Sequence, residues 1–310
     1  MQDSERRDVS LLPGQEETND IGFDASVRKV GHRGAGLENE VEPLGGSLHE
    51  IDHEQFSRQL IGFWTLLKRE IHRFLSIPNQ TIVPPFISAL LYIAIFGYSI
   101  GSRISSIEGV SYMEYIFPGL MMMGIMNSAY MNTSSSLFMS KFQGNIADVL
   151  TSPISYVEMV TAIVSGGMVR GIIVGFVIML TGFVLIGVKM HDPFTVFYFI
   201  FFVSTIFSQL GLLTGLWADK WEHLGIFQTY LITPLIYLGG VFYSTSMLPP
   251  IWSKISMFNP ILYMVNGLRY GMLGVGDTNI SVSYIAVFVL SLTLGVFSSY
   301  LFKIGYKLRT

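Results

Sequence analysis

The chain has 310 residues, half of them hydrophobic and only 13% charged, with a mean hydropathy of +0.50. That balance excludes an ordinary soluble domain of this length and points to a membrane protein. Formal net charge is −3, yet residues 1–54 carry net −8 and residues 55–310 net +5, and cysteine is absent, which excludes disulfides and thiolate chemistry.

Residues 1–46 mix acidic, glycine and small polar residues (QEETND, GHRGAG, ENEVEPLGG) and hold too few apolar side chains to offset the entropy of ordering. A disordered acidic tail is expected there, with no signal-peptide pattern at its start. Ser47 and Glu50 have capping-box spacing, and Phe56, Leu60, Phe63, Trp64, Leu67, Ile71 and Phe74 then recur at helical intervals among Lys68, Arg69, His72 and Arg73. This predicts an amphipathic helix over 47–76 that lies in the membrane interface.

Beyond it, six apolar runs are long enough to cross a bilayer core of about 30 Å: 81–100, 115–137, 159–187, 194–216, 224–246 and 282–303. Pro84, Pro85, Pro118 and Pro234 fall within them, which transmembrane helices tolerate when neighbours satisfy the freed backbone groups. With the N-terminus in the cytoplasm, that side holds Arg58, Lys68, Arg69, Arg73, Lys141, Lys220, Lys303, Lys307 and Arg309, against Arg103, Lys189, Lys254 and Arg269 on the other. The positive-inside rule therefore predicts an all-α membrane protein with six spans and both termini cytoplasmic. Residues 247–281 are too long for a turn and too interrupted to cross, as expected of short re-entrant or interfacial helices on the outer face.

His49, Glu50 and His53 spell H-E-x-x-H, whose histidines one turn apart can ligate zinc beside a general-base glutamate. The motif sits at the edge of the polar tail, with no third ligand or cleft evident, so a solvated helix start is the plainer reading. A membrane metalloprotease stands as the weakest rival. His32, His72, His191 and His223 all fall outside the apolar runs, as do the carboxylates Glu114, Asp148, Glu158, Asp192, Asp219 and Glu222 or lie at their edges. Ion-coupled transporters place such groups at membrane depth, so a secondary transporter or self-contained channel is an alternative rather than the first choice.

Arg170 is the charge placed well inside a span, and it must face protein or water. It could meet an anionic substrate or a polar side chain such as Asn127 or Gln209 along a path, or it could snorkel to the interface. Tyr92, Phe96, Tyr130, Phe227, Tyr237 and Phe242 are candidates for an aromatic lining, and Met121, Met122, Met123 and Met126 read as packing. No G-x-x-x-x-G-K-[ST] occurs, so the chain carries no phosphate-cradling loop and no catalytic or metal site is assigned.

The runs TPLIYLGGVFYSTSMLPPIW (233–252), NPILYMVNGLRYGMLG (259–274), KREIHRFLSIPNQTIVPP (68–85) and IFPGLMMMGIM (116–126) resemble those of ABC-2 family transport permeases, over about residues 56–307. The resemblance implies the membrane subunit of an ATP-driven exporter in a bacterial inner membrane. Its partners would be a second copy of the permease, membrane lipid and a separate ATP-binding subunit, which would hold the ATP and magnesium; nucleic acid is not among them. It further implies that the helix 56–75 and the loop KFQGNIADVLTSPIS (141–155) contact that ATPase, through Phe56, Lys68, Arg69, Phe142, Gly144, Asp148 and Leu150. Asn127, Arg170, Gln209 and Tyr237 are the candidate path residues. The loop departs from the family's commoner G-T-L-E-x-L, and the acidic tail is atypical. An amphiphilic, lipid-linked, polysaccharide or drug-like substrate is expected.

Overall fold

The computed structural model describes the backbone of residues 48–101 and 106–308, and the side chains over that range except 48–56 and 98–100. The expected tail at 1–46, Arg103, Arg309 and the side chains of His49, Glu50, His53 and Phe56 lie outside the described residues.

Helix α1, Leu48–Leu75, forms where the amphipathic helix was expected. Its buried line is Leu66, Glu70 and Phe74, four residues apart, while Leu60, Ile61 and Trp64 are exposed. The side turned into the protein is thus built around a glutamate, while Leu60 and Trp64 of the expected apolar side stay outside it. After α2 (Pro78–Thr81), α3 (Val83–Ala94) starts with Pro84 and Pro85, where the first turn needs no backbone donors. It widens into a π-helix at Ile95–Ile100. A hairpin of β1 (Ser106–Ile107) and β2 (Val110–Ser111) follows, turning through Glu108 (φ +50°) and Gly109 (φ +83°), two left-handed residues as a tight two-residue turn requires.

Helix α4, Tyr112–Phe142, and helix α6, Tyr156–Leu185, each begin with a reciprocal capping box, Ser111 with Glu114 and Ser155 with Glu158. Two carboxylates at the edges of the apolar runs are therefore helix-start groups. Between these helices lies α5, Ile146–Thr151. Helix α7, Pro193–Trp217, is capped by Asp192, whose side chain accepts from Phe194 N and from the Thr195 hydroxyl. The Thr195 hydrogen bond holds the Asp192 carboxyl below its usual value.

A continuous helical run then covers α8 (Trp221–Phe227), a π-helix (Gln228–Ile232) and α9 (Thr233–Leu238). Pro234 explains the π segment: its ring crowds the carbonyl four residues back and it donates no hydrogen bond, so the turn before it widens. The fifth expected span, 224–246, is shorter than anticipated. The helix stops at Leu238, and Gly240 turns the chain with φ +73°. Residues 247–281 do hold short helices, α10 (Pro250–Met257) and α11 (Pro260–Leu273), before α12 (Ile280–Lys303).

Four helical stretches among the described residues are long and apolar enough to cross a membrane: Pro78–Gly97, Tyr156–Leu185, Pro193–Trp217 and Ile280–Lys303. α4 is longer than any of them but turns polar along Asn127 to Ser136, and 221–238 is diluted by Glu222, His223 and Gln228. α4 is the core of the bundle, with Tyr115, Ile116, Met121, Met126 and Tyr130 fully buried. Small residues let it approach α6 and α7 closely: Thr133 and Ser208 share a 2.6 Å hydrogen bond, and Ser208 donates to Val164 O at 2.6 Å. Small side chains at such crossings are how helices associate without a hydrophobic drive from lipid.

The bundle has two chemically different ends. At one, Lys141 Nζ donates to Gly215 O, Leu216 O and Ala218 O, and Lys307 Nζ pairs with Asp219 at 2.7 Å. At the other, Arg269 is enclosed completely and paired with Asp277 at 3.1 Å. The Lys307 hydrogen bond holds the Asp219 carboxyl below its usual 3.8. A lowered folded pKa contributes stability that is complete above the unfolded value and lost as pH falls through the folded one. Lys307→Gln is therefore expected to lower the melting temperature slightly at pH 6 and low salt, by a margin that shrinks as the pH falls below the ordinary carboxylate value, measured by thermal unfolding in detergent.

Candidate functional site: a loop surface and a membrane recess

At the lysine-rich end, α5 is a short helix held on the bundle by one face. Gly144, at φ +77°, turns the chain out of α4, and nothing lies within 4 Å of the position a Cβ would take. Ile146 and Val149 face inward onto a core that includes Leu66 of α1 and Val160 and Ile163 of α6. Phe142 is 78% exposed, Asp148 is exposed and Leu150 is half-buried against the same core. Phe142, the last residue of α4, stacks on Phe138 with ring centroids 6.1 Å apart. Phe142, Gly144, Asp148 and Leu150 thus all fall on the turn from α4 into α5. Lys68 and Arg69 are exposed on the neighbouring α1.

A polar joint that sequence reasoning missed ties α1 to the bundle. Glu70 is 2% exposed, and Ser136 of α4 donates to its Oε2 at 2.5 Å. Arg69 and Arg73 approach its carboxylate at 3.4 and 3.6 Å, and Arg73 also donates to the backbone and side-chain oxygens of Asn132. Across from it, a Cβ on Gly166 of α6 would come within 2.6 Å of Glu70 Cβ, so α6 abuts α1 at that point. In the sequence this glutamate is hidden in KREIHR, where charges alternate and none marks itself as buried.

α3, α4 and α9 border a recess of about 360 Å³, with Ile178 of α6 behind it. Asn127 and Tyr237 both line it, along with Ser88, Tyr92, Ser128 and Thr233. Gln228, in the π segment, donates to Asn127 Oδ1 at 3.1 Å, bridging the two helices that face each other there. π segments frequently mark functional sites, and here one follows α3 and one precedes α9. Four of the six candidate lining aromatics also converge: Phe96 stacks on Phe242 with centroids 5.0 Å apart, and Tyr92 and Tyr237 lie 6.3 and 5.9 Å from Phe242. Tyr130 and Phe227 form a separate stack at 6.3 Å.

The other two candidate path residues are elsewhere. Arg170 donates to the carbonyl of Thr81 at 3.2 Å, at the break between α2 and α3, rather than to Asn127 or Gln209. That carbonyl lies where the helix is interrupted, which gives the cation a backbone partner that sequence spacing does not show. Gln209 lines a different groove, between α6, α7 and α12.

Residues 61–273 match the family model described as ABC-2 type transporter. An inner membrane transport permease, YadH, of Escherichia coli strain K12 is 40% identical over 238 residues, covering 75% of this chain and 93% of that protein. Nodulation protein J of Rhizobium leguminosarum bv. viciae is 23% identical over 199 residues, 62% of this chain and 74% of that protein. Nodulation protein J of Neorhizobium galegae is 18% identical over 225 residues, 72% and 86% respectively.

Proposed function

Because the chain belongs to the ABC-2 type transporter family and is a multi-pass membrane protein, we propose that it is the permease subunit of an ATP-driven exporter in a bacterial inner membrane, drawing on an ATPase carried by a separate polypeptide. The observation that carries this reading is the α4–α5 turn at the lysine-rich end of the bundle, where Phe142 at the end of α4 and Asp148 on the anchored helix Ile146–Thr151 are both exposed.

In this reading α4 and the 221–238 run complete six spans, both termini are cytoplasmic, and α1 lies at the cytoplasmic interface with Leu60, Ile61 and Trp64 toward lipid headgroups. A second copy of the chain packs on the exposed apolar side of 221–238, which includes Tyr230 and Leu231. Two recesses bordered by α3, α4 and α9 then face a shared path. Their mixed lining, aromatic with Asn127, Ser128 and Thr233, suits an amphiphile carrying a hydrogen-bonding group and an apolar body. ATP binding draws the ATPase subunits together, and α5 and α1 carry that motion inward as rigid levers. Glu70, clamped between Ser136 and Gly166, is the point at which α1 can pull on α4 and α6. The energy of the change is the difference in contact between the open and the ATP-closed partner surfaces.

Affinity purification of the tagged full chain from gently solubilised membranes tests this. An ABC ATPase is expected to co-purify in stoichiometric amount, and to be lost when Gly144 to Leu150 is scrambled while the chain still inserts. Asp148→Lys alone is expected to weaken that association by about tenfold. Conductance without nucleotide, in a chain that is abundant and retains no ATPase, would replace this reading with a self-contained channel.

A further inference from the structure

Away from the recess, the first half of α6, the middle of α7 and the second half of α12 border a groove of about 750 Å³ whose exposed wall is mostly apolar, with Thr161, Ser165, Thr205 and Gln209 among its lining. It runs along α12 from Phe288 to Lys303. At 1.5 Å per residue those fifteen steps span about 22 Å, longer than the roughly 15 Å of hydrocarbon in one leaflet. The floor stays open because residue 295 is glycine: a Cβ there would come to 3.1 Å from Gln209 Nε2.

The groove ends on a cation. Lys303 Nζ stands 6.0 Å from the Tyr156 ring centroid, and it has no oxygen partner among the described residues. Its neighbours at that end differ: Lys141 is spent on three carbonyls and Lys307 on Asp219. A mostly apolar groove long enough to take an acyl chain, ending beside an uncommitted ammonium and a tyrosine, has the two parts of a phospholipid site. A helix from another protein would fill the apolar part and leave the charge unanswered.

We infer that this groove binds one anionic phospholipid of the leaflet at the Lys303 end, its acyl chain along α12 toward Phe288 and its phosphate on Lys303. The site rests on the membrane character of α6, α7 and α12, and is independent of any ATPase partner.

Native mass spectrometry of the full chain, purified in mild detergent and relipidated with phosphatidylglycerol or phosphatidylcholine, tests it. One phosphatidylglycerol per chain is expected to survive activation, with phosphatidylcholine retained about fivefold less, the ratio one surface lysine contributes toward an anionic lipid. Lys303→Gln is expected to reduce phosphatidylglycerol to the phosphatidylcholine level, Gly295→Leu to reduce both by filling the floor, and Lys220→Gln, away from the groove, to change neither. Retention unchanged in both groove variants would overturn the site. So would an equal loss in Lys220→Gln, which would mean general surface attraction, or a chain dimer that Gly295→Leu dissociates without altering lipid, which would put a second copy in the groove. If Gly295→Leu fails to elute as a single helical species, Lys303→Gln decides alone.

Discussion

Replacing Arg269 by alanine is expected to destabilise the chain by about 3–5 kcal/mol, the cost of leaving a buried charge without its partner. The guanidinium is fully enclosed and all three of its nitrogens are engaged: Nε donates to Tyr115 O at 3.2 Å, one terminal nitrogen to Asp277 at 3.1 Å, the other to Gly240 O at 2.6 Å. Its plane also lies 4.0 Å from the Tyr115 ring centroid. Asp277 is buried as deeply, and accepts from Tyr115 Oη at 3.1 Å and from Ser244 Oγ at 2.5 Å. Removing Arg269 therefore leaves the buried Asp277 charge without its cation and two carbonyls without its donors, and unties α4, the turn after α9, and the segment between α11 and α12. Arg269→Lys should recover only part of the loss, because an ammonium cannot supply the planar fork. Arg269→Met combined with Asp277→Leu should be milder than Arg269→Ala alone, since it removes both charges and restores apolar volume. Thermal unfolding of the purified variants in one detergent checks the order. A double variant worse than either single one would mean that the carbonyl contacts, not the ion pair, dominate.

That cluster also shows where the sequence stops being informative. Arg269 reads as a flanking charge on an outer loop, because the run around it is too short to cross a membrane and the positive-inside rule counts flanks. In the fold, α11 is wedged against α4, α7 and α12, and a flank becomes an interior. Glu70 is concealed for the same reason, since a helix dense in charge gives no local sign of which one turns inward. Both positions are set by partners far along the chain, Asp277 and Gly240 in one case, Ser136 and Gly166 in the other. What is local was readable in the apolar runs that become α3, α6, α7 and α12, whereas the caps at Ser111 and Ser155 went unread and the loop that folds into α5 was singled out only through the family resemblance. Of the candidate path residues, Asn127 and Tyr237 share a recess, whereas Arg170 and Gln209 do not. Polarity within a span marks a residue as needing a partner, and says nothing about which neighbour provides it.

Glycine substitutions should separate structural from permissive positions with opposite signs. At Gly211 of α7, a Cβ would lie 2.4 Å from the carbonyl oxygen of Tyr130 and 3.1 Å from the backbone nitrogen of Ser134. Both obstacles are backbone atoms in the middle of α4, the most enclosed helix of the bundle, so no side chain can rotate aside. Gly215, one turn on, faces Ser134 O at 2.8 Å, which makes the contact a continuous seam rather than a point. Gly211→Val should force α7 off α4 and cost more than the 1–3 kcal/mol of ordinary overpacking, because the Thr133–Ser208 and Ser208–Val164 hydrogen bonds lie one turn away along the same seam. The expected result is loss of the monodisperse species after detergent extraction, although translation and insertion proceed. Gly225 in α8 is the counterexample, with nothing within 4 Å of a built Cβ and a helical backbone. There, Gly225→Ala should raise stability by up to about 1 kcal/mol through helix propensity alone. Size-exclusion profiles of the two variants, with melting temperatures where a folded peak survives, measure both. If Gly211→Val elutes and melts like the parent, the α4–α7 seam is not the rigid spine on which the recess and the loop surface are both mounted.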